Sequence, residues 1–357
     1  MIYYLITIAL SAFSFVESLH VDLRKMQNAF YIFILIFLAF FAGTRMMGFD
    51  YETYKDIFSY ASSGDLFGVQ IEIGWALICY LFGGFGFNAF LLFVACCSIV
   101  LYGIFFRKYS PYIFLSLLIY YSSYFIVKEM GQMRQGLAIG IVTFAFTAAM
   151  EKKKGQFALL FLMAFCIHYS AIVTLPVYYL CNHQWKTTTI AAFIAFGLCF
   201  TFIDLGVILA KVISILPISG AQDKVANILV SDASAKKLGI NSSIILRIII
   251  MGMALAYRKP LSERFAFYEP FLMLYFYGLM LYLVFNSVSE FAQRTSAYFR
   301  ILEAIILPCI LALMRRRAER LVVVGLLVLN AAISINRLFG PAQAYEAYNP
   351  YKTYLLD

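Results

Sequence analysis

The sequence predicts an all-α, polytopic membrane protein, and two observations lead to this prediction. First, 63% of the 357 residues are hydrophobic and only 13% are charged, which lies well outside the range of ordinary soluble domains. Second, apolar runs recur along the whole chain with short polar loops between them. Because a spanning helix needs about 20 mostly apolar residues, we expect a bundle of about 10–12 transmembrane helices. Little is left for a soluble part, so residues 1–357 are predicted to form a single membrane domain.

The predicted spans follow from these apolar runs, taken in chain order. The first run lacks a basic leading segment and a cleavage site, so it is predicted to be a retained span rather than a signal peptide. Several runs are shorter than a full span, and their boundaries are approximate for that reason. The runs cover residues 2–16, 28–42, 88–106, 111–127, 136–150, 156–180, 187–210, 244–257, 268–285, 301–314 and 321–335.

Basic clusters in the short loops predict the orientation of the chain, because such loops are retained on the cytoplasmic side. This orientation places the N-terminus outside, together with the loops 43–72, 211–241 and 286–300 and the tail 336–357. The same rule accounts for the formal net charge of +9 without a nucleic-acid partner. The clusters are Arg24-Lys25, Arg107-Lys108, Lys152-Lys153-Lys154, Arg258-Lys259 with Arg264, and Arg315-Arg316-Arg317 with Arg320.

One apolar run must break the alternation of crossings, because Arg258-Lys259 would otherwise lie outside. Our candidate is the run 156–180, which carries His168 near its middle. It is predicted to form a re-entrant pair of half-helices that enter from the cytoplasm and return, with His168 at the tip facing a site. A hairpin over residues 187–219 is the alternative.

The seven cysteines predict neither a disulfide framework nor a zinc site. Several lie inside apolar runs and none forms a C-x-x-C pair, so they are expected to be buried free thiols. His168 has no second histidine or carboxylate at metal-ligand spacing. We therefore expect no metal and no cofactor.

The segment GTRMMGFDYETYKDIF, residues 43–58, follows directly on an apolar run and carries candidate site residues. Tyr51 and Tyr54 are typical of an interfacial aromatic belt, and their spacing also suits a short amphipathic helix on the membrane surface. Neither interpretation explains Arg45 and Asp50 beside glycines at a helix end. An ionisable pair at the boundary of a cavity is a site candidate.

Arginines at predicted external helix ends form a second group of candidates. A snorkelling arginine is the ordinary explanation for any one of them. Several in places that the positive-inside rule disfavours predict a pyrophosphate clamp, because arginine binds phosphate oxygens bidentately and helix N-termini favour anions. The members are Arg134, with Gln135 beside it, Arg294 and Arg300 on either side of Tyr298, and Arg337 near the last run.

His168 is the only histidine well inside an apolar run. A buried neutral histidine bonded to a neighbouring helix is the ordinary explanation of such a residue. The alternation of crossings predicts a re-entrant turn at His168, and this makes a functional role for His168 as well supported as the structural one. Glu303 and Asp204, each near a helix end, are interpreted as partners for arginines rather than as reacting groups.

Taken in order, these motifs resemble the EpsG family of Wzy-type polysaccharide polymerases. The resemblance covers the chain from Phe40 to Phe299, and the tail from Tyr348 to Tyr351 is in keeping with it. The motifs are G-x-R followed by D-Y-x-x-Y, then Glu-Ile-Gly-Trp, M-R-Q-G-L-A, H-x-S-A-x-x-x-L-P and R-x-x-x-Y-F. The matching positions are Arg45, Asp50, Tyr51, Arg134, His168 and Arg294.

The resemblance implies a GT-C-like glycosyltransferase of the bacterial cytoplasmic membrane, active on the periplasmic, outer face. Its donor and its acceptor would both be undecaprenyl-diphosphate-linked oligosaccharide. It would transfer the growing glycan to the non-reducing end of the acceptor sugar during O-antigen, capsule or exopolysaccharide synthesis. A chain-length regulator is a further candidate partner.

That reaction assigns roles to the candidates. A leaving diphosphate needs cationic stabilisation, and the acceptor hydroxyl needs a base as an oxocarbenium-like centre develops. Asp50 is our first candidate for the base, His168 the second and Glu72 the third. No D-x-D motif is present, which fits a metal-independent reaction.

The candidates fall into three groups by expected role. The expected catalytic residues are Asp50, His168 and Arg45. The expected diphosphate ligands are Arg134, Arg294, Arg300 and Arg337, and the expected sugar ligands are Tyr51, Tyr54, Glu72, Gln135 and Tyr298.

Three other functions stay open at this point. An O-antigen ligase would use the same donor and would also need external arginines and a histidine. A flippase or transporter of lipid-linked oligosaccharide should line a central pathway with its charges, whereas here most lie at predicted external helix ends. A membrane acyltransferase using His168 would require an acyl donor.

Overall fold

The computed structural model describes residues 1–19, 24–64, 71–205 and 238–356. Helices dominate these residues and no strand occurs among them, so the predicted all-α polytopic class is confirmed. Within these ranges four helices are long and apolar enough to cross a membrane, and the pair Ser289–Arg300 and Glu303–Leu313 would add a fifth as one bent span. Shorter apolar helices of 10–17 residues account for other predicted runs. Most of the predicted external loop 211–241 lies outside the described residues.

The helices pack into two units. Unit 1 comprises Met1–Leu175 and Ala304–Asp357, and unit 2 comprises Pro176–Glu303. The prediction of a single domain with external loops stays a prediction. The helices of unit 1 are α1 (Ile2–Leu19), α2 (Arg24–Gly43), α3 (Tyr51–Ser62), α4 (Ile73–Leu81), α5 (Gly86–Tyr109), α6 (Ile113–Lys128), α7 (Met133–Met150) and α8 (Lys154–Ile167), followed late in the chain by α15 (Glu303–Leu313), α16 (Arg317–Phe339) and α17 (Ala342–Tyr348).

Helix α7 forms the centre of unit 1. It packs against both α5 and α8, and 78% of its apolar stretch is buried inside the protein, compared with 17% for α16. Gly136 and Gly140 lie in its first half, where Tyr102 of α5 donates a hydrogen bond to the Gly136 carbonyl oxygen at 2.8 Å. Arg134, the charged residue in the first turn of this helix, is therefore partly buried.

Two short helices lie in the segment that separates α2 from α5. Helix α3 buries Tyr51, Tyr54, Phe58 and Ala61 on one face, which confirms the short amphipathic helix predicted from the tyrosine spacing. Helix α4 follows and packs against both α3 and α8. Its buried Trp75 contacts the Phe90 ring at a centroid distance of 5.2 Å.

Unit 2 is organised around one apolar helix. Helix α13 (Tyr268–Val284) packs against α10 (Thr187–Cys199), α11 (Ser242–Ala256) and α14 (Ser289–Arg300). The segment predicted as the external loop 286–300 is largely helical, with Ala292 and residues 295–299 buried and charged residues such as Glu290 and Arg294 exposed or partly exposed. The helices are α9 (Val177–Leu180), α10 (Thr187–Cys199), α11 (Ser242–Ala256), α12 (Arg258–Arg264), α13 (Tyr268–Val284) and α14 (Ser289–Arg300).

Candidate functional site

The ionic cluster of unit 1 consists of Glu72, Arg134 and His168. Arg134 donates from Nη1 to Glu72 Oε2 at 2.5 Å, and His168 Nδ1 lies 2.8 Å from Glu72 Oε1. The backbone N–H of Tyr169 donates to the same Oε1 at 3.2 Å. Both carboxylate oxygens are therefore occupied, and one glutamate joins three segments that are far apart in the sequence.

His168 reaches the cluster because α8 ends directly before it. The residue is extended, with φ −154° and ψ 116°, and a turn of 3₁₀ helix, Tyr169–Thr174, starts immediately afterwards. The predicted interruption of the run 156–180 at His168 is confirmed. Re-entry of this run from the cytoplasm stays a prediction.

Glu72 reaches His168 because a glycine lets two helices approach closely. Helix α4 begins one residue after Glu72, and Gly74 in its first turn faces α8. A Cβ atom at Gly74 would lie only 2.7 Å from the carbonyl oxygen of Cys166. Any larger residue would push α4 away from α8, because that distance is shorter than van der Waals contact. Gly74 thus fixes the distance between the carboxylate and the imidazole.

Arg134 lies in the first turn of α7, against an aromatic wall. Its guanidinium carbon is 5.9 Å from the centroid of the Tyr54 ring, within range of a cation–π interaction. Tyr54 in turn packs on Trp75 at 5.7 Å. The side chain of Arg134 is 25% exposed, compared with 14% for His168 and 5% for Glu72. An incoming ligand would therefore meet Arg134 and His168 before the carboxylate.

The Glu72 carboxylate is held in its charged form. Burial alone raises its pKa, but the hydrogen bond from His168 and the charge of Arg134 outweigh burial and hold the pKa at about 2. A carboxylate with so low a pKa is a weak base. Glu72 is therefore better suited to orienting His168 and Arg134 than to accepting a proton itself.

A chain of polar side chains extends from the cluster along the start of α7. Lys128 Nζ donates to Gln132 Oε1 and to Gln135 Oε1, each at 2.5 Å. The Gln135 amide then donates to Ser170 Oγ at 3.4 Å. Gln135, predicted as a sugar ligand, is thus linked to the residue two positions after His168.

Arg45 is buried beneath the C-terminal strap, which we define as residues 349–356. Its Nη1 donates to the Ala42 carbonyl oxygen, while Nε and Nη2 are buried and have no hydrogen-bond partner among the residues that the structure describes. The backbone of Arg45 pairs with Thr353 in an antiparallel bridge. Arg45, predicted as catalytic, is therefore covered by the strap.

The strap is held to the end of α2 by both side-chain and backbone contacts. The Tyr351 hydroxyl donates to the Phe41 carbonyl oxygen at 2.8 Å, and the two rings stack with centroids 4.3 Å apart. The Met46 N–H donates to the Lys352 carbonyl oxygen at 2.9 Å. The strap belongs to the tail 336–357, which is predicted from the sequence only as an external extension, and it forms part of the wall around Arg45.

Asp50 and Tyr51 lie at the start of α3. Asp50 is half-buried and occupies the N-cap position without a side-chain cap hydrogen bond. Tyr51 packs its ring against Phe87 at 5.5 Å. In the described part of the chain, Asp50 forms no hydrogen bond or ion pair with the ionic cluster. Arg337, the fourth predicted diphosphate ligand, is exposed on α16.

Glu129 is a buried carboxyl group that the motifs did not indicate. It lies between α6 and α7, and Gly136 makes room for it, since a Cβ there would lie 2.9 Å from Glu129 Oε1. Burial raises the pKa of Glu129 to about 7, although the nearby Ser98 and Tyr120 hydroxyls and the charge of Arg45 favour its charged form.

The remaining predicted residues lie in unit 2 on α14. Arg294 is 43% exposed and forms an ion pair with Glu290 one turn earlier. Tyr298 is fully buried. Arg300 is half-buried and lines a small cavity together with Arg247.

The sequence pattern did not indicate the positions of two buried charged residues, Glu72 and Arg247. The sequence predicts Glu72 as a sugar ligand and as the third candidate base, whereas in the structure its carboxylate joins Arg134 to His168. Arg247 was not singled out at all, although a lone arginine inside the run 244–257 is a recognised signal of function in a membrane segment.

The fold and the ionic cluster define a multi-pass helical membrane protein with a buried, charged site formed at helix ends. The chain belongs to the EpsG family, whose family model matches residues 28–353, and the resemblance noted from the motifs is thereby confirmed. It is similar to the amylovoran biosynthesis protein AmsC of Erwinia amylovora, with 22% identity over 380 residues that cover 98% of this chain and 94% of that protein. No solved structure gives a significant match. At the level of the family, the chain is a polymerase-type protein of polysaccharide biosynthesis.

Proposed function

We propose that the chain is a glycosyltransferase that joins undecaprenyl-diphosphate-linked oligosaccharide units on the outer face of the cytoplasmic membrane. The growing glycan is transferred from one carrier lipid to the non-reducing end of the sugar on another. Membership of the EpsG family supports polysaccharide synthesis, and the name of the Erwinia relative, a biosynthesis protein for amylovoran, agrees with it. The product here is an exopolysaccharide, capsule or O-antigen chain.

The observation that carries the proposal is the ionic cluster. Glu72 holds His168 through Nδ1 at 2.8 Å, so Nε2 is the nitrogen turned away from the carboxylate. A carboxylate on one imidazole nitrogen fixes the ring and makes the other nitrogen more basic. This arrangement favours His168 over Asp50 as the base, and Asp50 then serves to position the acceptor.

The bond changes follow from this assignment. The acceptor hydroxyl gives its proton to His168 Nε2, and its oxygen forms the new glycosidic bond to the anomeric carbon of the donor. The bond between that carbon and the diphosphate oxygen breaks, and undecaprenyl diphosphate leaves with the electron pair. Arg134, at the N-terminal end of α7, stabilises the leaving diphosphate by its charge and by bidentate donation.

The outer-face location is supported by the two ends of α7. Arg134 lies in its first turn and the exposed basic loop Lys152-Lys153-Lys154 follows its last turn. Eighteen helical residues span about 27 Å, close to the thickness of the hydrocarbon core. If the basic loop is cytoplasmic, the ionic cluster lies at the opposite face.

The test is chain extension by purified full-length protein supplied with lipid-linked repeat units in detergent. Glu72→Gln and His168→Gln should each lower the extension rate by about a hundredfold or more, the usual contribution of a positioned general base. The matched control is Glu151→Gln, which removes an exposed carboxylate paired with Lys108 and Lys153 and should leave extension unchanged. Wild-type rates in both cluster variants would refute the assigned site.

A deletion strain separates this function from that of an O-antigen ligase. Loss of a polymerase leaves single repeat units attached to the final acceptor. Loss of a ligase leaves that acceptor bare while polymer accumulates on the carrier lipid, and this result would refute the proposal.

A further inference from the structure

One buried arginine of unit 1 has no part in the bond changes proposed above. Arg45 is fully buried, and its Nη1 donates to the Ala42 carbonyl oxygen. Its Nε and Nη2 are also buried, and neither has a hydrogen-bond partner among the residues that the structure describes. Leaving charged donors without a partner is costly in a folded protein. Such donors in a native fold indicate a ligand, an ion or a water that completes them.

The two unpartnered nitrogens form a single binding edge. The Nε–H and Nη2–H groups lie side by side on the planar guanidinium and point in the same direction, so together they match two oxygens of one anion. The Ala42 carbonyl oxygen holds the third nitrogen and fixes the plane of the group. Gly48 lies beside this edge, because a Cβ atom there would be 3.8 Å from Nε. The Arg45 guanidinium is therefore oriented before any ligand arrives.

Glu129 is an acidic neighbour of Arg45 that does not fill this edge. Its charge favours the charged form of Arg45, yet its Oε1 is buried with no hydrogen-bond partner in the described part of the chain. That oxygen lies against Gly136, where a Cβ atom would be 2.9 Å away, and the Ser98 and Tyr120 hydroxyls are near the same carboxyl group. Glu129 thus offsets part of the charge of Arg45 from a distance and leaves the Nε–Nη2 edge unoccupied.

The C-terminal strap covers this edge. The backbone of Thr353 pairs with that of Arg45, and the Thr353 hydroxyl donates to the Thr44 hydroxyl at 2.9 Å. The backbone N–H of Tyr354 donates to the Thr44 carbonyl oxygen at 3.2 Å. The strap contains no helix, so it can lift from the end of α2 without unfolding one.

We propose that the Nε–Nη2 edge of Arg45 binds a phosphate group of a lipid-linked diphosphate, and that the strap lifts to admit it. A guanidinium has no acceptor atom, so its ligand must present oxygens that accept. A phosphate offers two such oxygens at the required spacing together with a negative charge, whereas a sugar hydroxyl offers one oxygen and no charge. Arg45 lies two residues after the apolar helix α2 ends at Gly43, at the boundary where the head group of a lipid is found.

This inference rests on the proposed function, in which the ligand is a carrier lipid. In that reaction Arg134 stabilises the leaving diphosphate, and the Tyr54 ring packs against Arg134 at 5.9 Å. Tyr54 is also an electrostatic neighbour of Arg45. Arg45 therefore adds a phosphate ligand next to the ionic cluster, and the strap controls access to it.

The first experiment locks the strap onto α2. Thr44→Cys and Thr353→Cys are introduced together, because side-chain oxygens 2.9 Å apart place two thiols within reach of a disulfide. The affinity of the purified full-length protein in detergent for farnesyl diphosphate, a short prenyl diphosphate, is measured before oxidation with diamide, after it, and after reduction with dithiothreitol. Oxidation should weaken binding by about tenfold or more, and reduction should restore it. The wild type, treated in the same way, reports any effect of the native thiols and should bind equally throughout.

The second experiment changes the binding edge itself. Arg45→Lys keeps the buried charge and should bind farnesyl diphosphate about tenfold more weakly than the wild type, because an ammonium group does not present two parallel donors. Arg45→Gln removes the charge as well and should bind no better than Arg45→Lys. The melting temperature in detergent reports whether each variant is folded. Arg316→Gln, at a side chain that is 84% exposed, is the control and should bind like the wild type.

Each outcome has a defined meaning. Wild-type affinity in folded Arg45→Lys would overturn the site, and unchanged affinity in the oxidised double variant would overturn the role of the strap. Competition by phosphatidylglycerol or inorganic pyrophosphate as strong as that of the prenyl diphosphate would overturn the assignment to a lipid-linked diphosphate. Binding that depends on Arg45 in a protein that extends no glycan would support this site while refuting the proposed function, so the two failures are distinguishable.

Discussion

At the scale of single residues, the carboxylate of Glu72 decides how the candidate site is held together. It accepts from a guanidinium, an imidazole and a backbone N–H, while almost no water reaches it. Removing one member of such a buried group leaves the others uncompensated, which typically costs about 3–5 kcal/mol. The residue thus contributes to stability as well as to the proposed chemistry.

Because the charged form of Glu72 stabilises the fold, the stability of the protein should depend on pH in a predictable way. Its pKa is about 2 in the folded protein, below the ordinary value of 4.5. A carboxylate whose pKa is lowered by folding adds stability that is fully present above the unfolded pKa and is lost as the pH falls through the folded pKa. The difference in melting temperature between wild type and Glu72→Gln should therefore be constant from pH 7 to about pH 5 and shrink towards pH 2.

Thermal unfolding of the full-length protein in detergent across this range is the measurement. Glu52→Gln, at an exposed carboxylate on α3, is the control and should show a small difference at every pH. A melting difference for Glu72→Gln that persists undiminished at pH 2.5 would contradict a buried, ionised Glu72.

At the scale of secondary-structure elements, the C-terminal strap is a short segment that packs on the end of α2. It packs on the end of α2 through Tyr351, and its backbone pairs with the segment that carries Arg45. The strap is therefore expected to stabilise the turn between α2 and α3. This turn leads directly into α3, whose Tyr54 ring packs against Arg134 of the ionic cluster.

Substitution of Tyr351 tests this role. Tyr351→Phe removes one hydrogen bond and should cost about 0.5–1.5 kcal/mol, whereas Tyr351→Ala also removes the ring stacked on Phe41 and should cost about 2–4 kcal/mol. The melting temperature in detergent is the measurement. Tyr345→Ala, at a tyrosine of α17 that is 56% exposed, serves as the control. Equal effects of Tyr345→Ala and Tyr351→Ala would show that the strap does not stabilise unit 1.

Several elements were predictable from local sequence pattern. The spacing of Tyr51, Tyr54 and Phe58 predicted α3 because it reflects a helical period that does not depend on distant residues. The interruption at His168 followed from counting basic loops against crossings. The helix over 289–300 was missed, because its polar face resembles a loop when no partner surface is known.

The centre of the candidate site was less predictable, for a physical reason. Glu72, Arg134 and His168 are brought together by helix packing, and the contact between α4 and α8 depends on the absence of a side chain at Gly74. One sequence contains no signal for such a contact between distant segments. The arginine and the histidine were identified individually, but the carboxylate that joins them was not placed between them.

At the scale of the whole molecule, α7 connects the candidate site to the membrane. The ionic cluster lies at its first turn and the exposed loop with Lys153 follows its last turn, so labels at the two ends should report opposite faces. Ser63→Cys, exposed at the end of α3, should react with a membrane-impermeant maleimide on intact cells. Lys153→Cys should react only after permeabilisation, because basic loops are retained in the cytoplasm. The unsubstituted chain gives the background of its native thiols. Labelling of Lys153→Cys on intact cells would invert the orientation and place the candidate site on the cytoplasmic face, where a polymerase acting on exported repeat units would not meet its substrate.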